Sequence, residues 1–196
     1  MRLLAIETST AQGGVAILDS GKILSSRQWL RSQSHSELLT AAIEEILNEA
    51  GLQISALDSL AVGVGPGSFT GIRVAISAVK SLSFAKNIPT YCFDSTEVLV
   101  AGRPSRDLPV LVAMNAQKNQ IFHTVFEASN EDLPKRISPL SVLDSATLVS
   151  VSTPHLLLGD GVTELVALNP AFGTFPRPKP EFDLPRAEVL AKLSWT

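Results

Sequence analysis

The stretch GPGSFTGIR, residues 65–73, follows an apolar run and leads into VAISAVKSLSFAK, residues 74–86. Its three glycines permit backbone conformations that other residues avoid, and they lie where the first free N–H groups of a helix point outward. Such a turn can cradle an anion, or it can let another backbone approach closely. The segment therefore predicts a strand, a tight turn and a helix whose start serves one of these two purposes.

The predicted helix is apolar on two faces. One stripe consists of Ile72, Ala75, Ile76, Val79 and Leu82, and the other of Val74, Ala78 and Ala85. A single sheet covers only one face of a helix, and the small residues of the second stripe permit close approach of another helix. The pattern predicts a second covering surface, either the preceding helix of the same chain or a partner protein.

The rest of the first half reads as alternating strands and helices. Strands are expected over residues 3–6, 13–18, 23–30, 60–64 and 89–93, with a hairpin at residues 19–21. Helices are expected between Ser34 and Gly51, over residues 70–86 and over residues 96–101. The strand–helix–strand order from residue 60 onward indicates a parallel unit.

The pattern restarts after residues 102–107, which are rich in charge and in helix breakers. Strands are expected over residues 109–114, 120–127, 137–143 and 155–158, an extended loop over 169–185 and a last helix over 185–193. This order predicts a duplicated α/β unit with lobes at residues 1–102 and 103–196.

Composition limits the classes of function. The 196 residues are 45% hydrophobic and 18% charged with a formal net charge of -3, so the chain is a poor candidate for gripping nucleic acid unaided. The single cysteine, Cys92, excludes an internal disulfide and fits a reducing compartment, and its apolar surroundings predict a small core residue. No apolar run has the length of a signal or membrane segment, so we expect a cytoplasmic protein without membrane contact.

Three motifs, in this order, resemble the TsaB (YeaZ) family. They are LAIETST at residues 4–10, His35-Ser36 with Leu38-Leu39 on the first helix, and residues 65–80. The resemblance implies an actin-like, ASKHA-type α/β fold of two RNase H-like lobes with mixed sheets flanked by helices. It also implies a role in making threonylcarbamoyladenosine at position 37 of tRNAs that read codons beginning with A.

In that family the protein is an accessory subunit, not the transferase. The resemblance implies a TsaD-like catalytic partner and a TsaE-like ATPase, with tRNA met only through the complex. Two helices from each protein are expected to form the interface with TsaD, and the same surface is expected to form a homodimer in isolation. The residues assigned to this interface are Leu38, Ala41, Ala42, Ile72, Val74, Ala75, Ala78, Val79 and Leu82.

The chain departs from the family pattern in its second half. Relatives often carry Asp-Ala-Arg followed by Val-Tyr, where this chain has Asn115-Ala116-Gln117 and Ile121-Phe122. Neutral amides thus replace a carboxylate and a guanidinium, which puts any ion pair or anion contact there in doubt. A closing segment found in many relatives is also missing after Trp195-Thr196, so either this member is naturally short or a tail is absent.

Glu7 is the residue that bears on nucleotide chemistry. It ends the first strand, where actin-like ATPases place an acid that handles a metal-bound nucleotide, but it can equally hydrogen-bond the adjoining turn. A working site would need a matching acid and glycine turn in the second lobe; residues 115–119 offer neither, although Gly159-Asp160-Gly161 could contribute at the cleft. An ATP-dependent transferase or kinase therefore remains the alternative. A vestigial nucleotide or anion site would comprise Glu7, Thr8, Gly65, Gly67, Ser68 and Arg73.

No residue set predicts catalysis or a bound metal. TsaD relatives carry a His-x-x-x-His pair on the helix where this chain has His35 and Leu39, and His123 and His155 lie far away in sequence. Ser68 lacks the flanking residues of a Gly-x-Ser-x-Gly nucleophile and is expected to cap the following helix. Arg73, unfavourable in a first helical turn, can meet a carboxylate or phosphate or simply lie in solvent. We therefore expect no cofactor and no enzymatic activity of its own.

Overall fold

The computed structural model describes residues 1–30, 35–116, 120–143 and 153–195. The strands are β1 (Arg2–Glu7), β2 (Gln12–Asp19), β3 (Lys22–Leu30), β4 (Ser59–Gly63), β5 (Thr90–Phe93), β6 (Val110–Asn115), β7 (Ile121–Phe126), β8 (Ser141–Leu143) and β9 (Leu156–Leu158). The α-helices are α1 (His35–Glu49), α2 (Phe69–Lys86), α3 (Ser95–Ala101), α4 (Val162–Leu168) and α5 (Ala187–Leu193). None of the helices in these ranges is long and apolar enough to cross a bilayer.

The chain forms two compact units, Met1–Val98 with Pro185–Thr196, and Leu99–Leu184. The boundary thus falls inside α3 and not after residue 102, and the last segment belongs to the first unit. The physical reason is burial, because Ala187, Leu190 and Ala191 of α5 complete a core that covers β1 and β2. The expected lobe at residues 103–196 therefore differs from the second compact unit at both ends.

The first unit contains a five-stranded sheet in the order β3-β2-β1-β4-β5. The first three strands pair antiparallel, and β1, β4 and β5 pair parallel, as the strand–helix–strand pattern predicts. Helices α1 and α2 pack on one face of this sheet, and α5 with Val98 packs on the other. The start of α2 therefore lies beside the carboxyl ends of β1 and β4.

The second unit repeats this topology in a smaller form. Its sheet has the order β8-β7-β6-β9, with β6, β7 and β8 antiparallel and β9 parallel to β6. The predicted duplication is confirmed, because the order β3-β2-β1-β4 is reproduced strand for strand. Helix α4 was not expected, and the segment expected as an extended loop contains short 3-10 helices at Pro170–Thr174 and Pro180–Phe182.

Two residues lie in places that the sequence pattern did not indicate. Cys92, expected in the core, is exposed because β5 is the edge strand of its sheet. Arg103, in the charged segment at residues 102–107, is only 6% exposed, and its guanidinium donates to four carbonyl oxygens of the second unit. These acceptors belong to Val100, Ser129, Glu131 and Asp132, at 2.9, 2.7, 2.7 and 3.0 Å.

Candidate interaction surface

The glycine-rich turn between β4 and α2 is pressed against the end of β1. Ser68 donates its N–H to the Ser9 carbonyl oxygen at 2.6 Å, and Thr8 Oγ1 donates to the Gly71 carbonyl oxygen at 2.8 Å. Gly67 has φ 147°, and a Cβ at this position would overlap the Ser9 carbonyl oxygen. Of the two uses that the sequence left open, the turn serves the close approach of two backbones.

Helix α2 begins with the cap expected for Ser68. The Ser68 side chain accepts a hydrogen bond from the Gly71 N–H at 3.3 Å, and Ile72 donates its N–H to the Ser68 carbonyl oxygen at 2.9 Å. The helix ends at Asn87, whose left-handed conformation closes its last turn. The turn thus fixes where α2 starts, and through it which faces the helix exposes.

The Glu7 carboxylate is buried, with 1% exposure, and ties three segments together. It accepts from the Ser9 N–H at 2.8 Å and from Ser95 Oγ at 3.1 Å, and Gly65 donates its N–H to Ser95 Oγ at 3.2 Å. Burial raises the pKa of Glu7 above its ordinary value, and the hydrogen bonds from Ser9 and Ser95 oppose the rise. This geometry matches the structural alternative, in which Glu7 holds the turn.

The six residues of the expected anion site do not form one cluster. Glu7, Thr8, Gly65, Gly67 and Ser68 meet in the network just described, and their polar groups bond to one another or to neighbouring backbone. Arg73 instead lies exposed on α2, with its guanidinium 5.2 Å from the centre of the Phe69 ring. Arg73 is therefore part of the helix surface and not of the turn.

His35 has a structural position at the start of α1. It is 5% exposed, its Nδ1 accepts from Trp29 Nε1–H at 3.0 Å, and its Nε2 lies 2.9 Å from the Thr10 carbonyl oxygen. These partners assign the N–H of the ring to Nε2, and both ring nitrogens are hydrogen-bonded. The Ser34 capping position lies outside the described residues. In the described ranges, no three His, Cys, Asp or Glu side chains are grouped so as to hold a metal ion.

Two adjoining grooves between α1 and α2 form what we call the α1–α2 surface. The first, of about 420 Å³, is lined by Ser36, Leu39, Thr40, Thr70, Arg73, Val74, Ser77 and Ala78. The second, of about 720 Å³, is lined by Thr40, Ile43, Glu44, Leu47, Asn48, Leu52, Gln53, Ile54, Ser55, Ala78, Ser81, Leu82 and Lys86. Thr40 and Ala78 belong to both grooves and therefore mark the centre of this surface.

The structure divides the residues assigned to the interface. Ala42, Ala75 and Val79 are 8, 0 and 2% exposed and pack in the core of the first unit, so their assignment is corrected. Val74, Ala78 and Leu82 are half-buried and line the grooves. Leu38 and Ile72 are also half-buried and Ala41 is exposed, but they are not among the groove-lining residues.

Polar residues of the surface were missed by the apolar pattern. Thr70, Arg73, Ser77 and Ser81 line the grooves from α2, at intervals of three or four residues that place them on one face of the helix. Arg73 was indicated by its place in the first helical turn, and the helical spacing of Thr70, Ser77 and Ser81 is the signal that indicates the others. The surface therefore combines a small apolar centre at Ala78 with hydroxyl groups.

Charge is segregated between the two helices of this surface. All charged residues of α1 are acidic, namely Glu37, Glu44, Glu45 and Glu49, and all those of α2 are basic, namely Arg73, Lys80 and Lys86. Glu45 and Glu49 pair with Arg27 of β3. Glu44 and Lys86 lie in the second groove and Arg73 in the first. A complementary partner would carry the opposite arrangement of charge.

The second unit has no acid at the place of Glu7. Asn115 occupies the corresponding end of β6, and its N–H donates to Asp160 Oδ1 at 2.9 Å. Burial raises the pKa of Asp160 above its ordinary value, and the hydrogen bond from Asn115 opposes the rise. Gln117 lies outside the described residues. His155, 5% exposed, stacks on Phe175 in the same unit.

Comparison with known proteins identifies the family. The family model described as TsaD: tRNA N6-adenosine threonylcarbamoyltransferase matches residues 29–184. The tRNA threonylcarbamoyladenosine biosynthesis protein TsaB of Bacillus subtilis is 26% identical over 143 residues, which cover 73% of this chain and 62% of that protein. The chain thus spans about three fifths of the length of this relative.

Solved structures agree with this result. YeaZ from Pseudomonas aeruginosa superimposes with a TM-score of 0.83 at 27% identity, covering 99% of this chain and 90% of that one. The activator of the 2-hydroxyisocaproyl-CoA dehydratase from Clostridium difficile, at 11% identity and a TM-score of 0.53, shares the actin-like ASKHA fold. The chain therefore belongs to the family of the matching model and, within it, to the TsaB (YeaZ) family.

Proposed function

We propose that this chain is a non-catalytic subunit of the machinery that installs threonylcarbamoyl on adenosine 37 of tRNAs reading codons that begin with A. It acts by pairing with a TsaD-like transferase through the α1–α2 surface. The observation that carries this proposal is the open surface centred on Ala78, on a chain whose relative is named for this biosynthesis. A TsaE-like ATPase joins the complex, and this chain contacts tRNA only as part of that complex.

The family match supports a partner of similar fold. Because the model of the transferase itself matches residues 29–184, a TsaD-like protein can present two equivalent helices. Two similar surfaces can pack about a pseudo-twofold axis, as two copies of one protein do. The acidic α1 then faces a basic helix and the basic α2 an acidic one, and this arrangement also supports a homodimer when the transferase is absent.

The subunit contributes binding energy and not chemistry. A partner that binds the active conformation of the transferase more tightly than its inactive one shifts the population toward the active form. The position of Glu7 supports this role, since its carboxylate is buried and bonded to Ser9 and Ser95. The alternative is an ATP-dependent transferase or kinase, and tight binding of ATP and magnesium by the isolated chain in calorimetry would favour it.

The experiment is co-purification with a TsaD-like protein, followed by a tRNA modification assay with and without this chain. Ala78→Glu places a carboxylate where both grooves meet, and we expect it to weaken the pairing on the order of a hundredfold and to lower modification accordingly. Ala75→Glu is unsuitable because Ala75 is fully buried.

The matched control is Ala167→Glu, the same substitution at an exposed helical alanine of the second unit. It should pair and support modification like the wild-type chain. Undiminished pairing by Ala78→Glu, with both variants folded, would refute the assignment of the surface. Full modification by the transferase without this chain would refute the proposed function.

A further inference from the structure

The outer edge of the first sheet is an open strand. Leu60 and Val64 donate their N–H groups to the Pro89 and Phe93 carbonyl oxygens, each at 2.9 Å, so these alternate residues bond toward β4. Residues between them in a strand direct their backbone groups the other way. Thr90 and Cys92 therefore point their N–H and C=O groups away from β4, and in the described ranges no strand pairs with that side of β5.

A groove of about 620 Å³ runs between this edge and the flank of α2 that faces away from α1. Its walls include Ile76 and Phe84 of α2, Val64, and Cys92 of β5. Phe84 is 94% exposed, which is unusual for a phenylalanine of a folded chain. Proteins commonly protect open edges with charged residues or a cover, yet Thr90, Tyr91 and Cys92 are uncharged and exposed.

The groove has a definite charge. Lys80 is the one charged residue that the structure places in its lining, and no carboxylate is found there in the described part of the chain. Lys80 precedes Phe84 by four residues, or about 6 Å along the helix axis. Side chains two residues apart in a strand are separated by a similar distance, about 6.6 Å.

We propose that the β5 edge binds an extended acidic peptide segment of a partner protein, which adds a strand to the sheet. Its backbone pairs with the outward groups of Thr90 and Cys92, one apolar side chain packs against Phe84, and a carboxylate two residues away meets Lys80. This site lies on the opposite flank of α2 from the α1–α2 surface. It is therefore independent of pairing with the transferase.

Charge favours this occupant over a second copy of the chain. Two copies paired antiparallel through β5 would merge their grooves and bring their Lys80 ammonium groups to one cavity without a carboxylate in its described lining. Like charges at such a junction are unfavourable. An acidic segment instead supplies the charge that the groove lacks.

The test measures fluorescence anisotropy of a labelled synthetic peptide with the full chain. The peptide carries Val and Glu two residues apart in a threonine-rich segment, and a second peptide carries Lys in place of Glu. We expect the Glu peptide to bind, and Lys80→Glu and Phe84→Ser each to weaken it on the order of tenfold. Lys179→Glu makes the same charge change at an exposed lysine of the second unit and should leave binding within about twofold.

Backbone pairing is tested separately by N-methylation of the peptide. Methylating every second amide of the peptide, namely those that face the β5 edge, should abolish binding. Methylating the amides in between should not, because they face away from the edge. The proposal is overturned if the Glu peptide does not bind, if the Glu and Lys peptides bind equally, or if neither set of methylated amides abolishes binding. Sedimentation as a dimer that Phe84→Ser dissociates also overturns it in favour of a second copy. Because Phe84→Ser leaves Ala78 intact, co-purification with the transferase reports on the proposed function independently.

Discussion

The two units of the chain share one strand order and differ in the helix that comes after their parallel strand. In the first unit β4 leads into the 18-residue helix α2, and in the second β9 leads into the seven-residue helix α4. The longer helix exposes two flanks, each beside a groove. Both proposed interaction surfaces thus lie along the longer helix, whereas the close backbone approach at the preceding turn is found in both units.

The turn is the strongest point of similarity between the units. Gly67 follows β4 and meets the Ser9 carbonyl oxygen beyond β1, and Gly159 follows β9 and meets the Ala113 carbonyl oxygen of β6. Both glycines have positive φ, 147° and 119°. The carboxylate differs, because Glu7 is buried at the end of β1 whereas Asn115 ends β6. Close backbone approach is therefore common to both units, and the buried acid is not.

The largest effect is expected for Ala75→Glu, which places a carboxylate in the core under α2. Ala75 is fully buried among apolar side chains, so the substitution should lower the free energy of unfolding by about 4 kcal/mol or more. Denaturant unfolding followed by circular dichroism measures this loss. Ala167→Glu on α4 should change it by less than about 0.5 kcal/mol. Comparable stability of the two variants would contradict the burial of Ala75.

Alanine at the two turn glycines tests whether the units share a backbone constraint. At Gly67 and at Gly159 the added Cβ meets a carbonyl oxygen at a positive φ, so each substitution should cost about 3 kcal/mol. Thermal unfolding of both variants gives the comparison. Gly51→Ala is the control, since its φ is also positive but its Cβ would have nothing within 4 Å. If Gly51→Ala is as destabilising as the other two, conformation alone and not close approach explains the cost.

Arg103→Met should weaken the second unit alone. The change keeps most of the side-chain volume but leaves four carbonyl acceptors without the guanidinium, which predicts a loss of about 2 kcal/mol. Hydrogen exchange resolved by residue should show faster exchange around residues 129–132 and unchanged exchange in β1 and β2. Arg103→Lys should rescue only part of the loss, because an ammonium cannot reproduce the planar fork. Uniform loss of protection across both units would count against this assignment.

The smallest effect is expected for Glu7→Gln and depends on pH. Burial raises the pKa of Glu7 in the folded state above its ordinary value of 4.5. As pH rises, Glu7 therefore ionises in the unfolded chain before it ionises in the folded one. Wild-type stability should therefore fall as pH increases from about 4.5 to the folded pKa, and stay level above it.

Glu7→Gln removes this group from the titration and should flatten that part of the curve, so the variant gains stability relative to the wild type as pH rises through it. Burial raises the pKa of Asp160 as well, so the quantity to measure is the difference in stability between the variant and the wild type at each pH. A variant that keeps the full pH dependence would show that Glu7 is not its source.

Most of the fold followed from local pattern. In the described ranges, the nine strands and the helices other than α4 were expected close to where they lie, since strand runs bounded by glycine or proline and helix runs with capping residues carry their own periodicity. Helix α4 was missed because it begins after Gly161 without a capping side chain, whereas the equally short helices α3 and α5 begin beside Asp94 and Pro185. The duplication was visible because the order of elements repeats.

The candidate surface was predictable as a pair of helices and not residue by residue. A helical pattern shows that α2 has two apolar stripes, but the rotation of the helix about its axis decides which stripe the sheet covers. In this fold the covered stripe contains Ala75 and Val79. Cys92 was misplaced for a related reason, since the place of β5 at the sheet edge depends on strand order and not on its own residues. The α1–α2 surface and the β5 edge both required tertiary information.

The return of α5 to the first unit has a consequence for biosynthesis. Leu3, Ala5, Ala16 and Leu18 are covered in part by α5, whose residues leave the ribosome after the whole second unit. The second unit is contiguous in sequence and can close as soon as it emerges, whereas the first must keep one apolar face of its sheet open until residues 187–191 have been made. During synthesis this apolar face therefore stays uncovered until α5 has emerged, and only then can the first unit close.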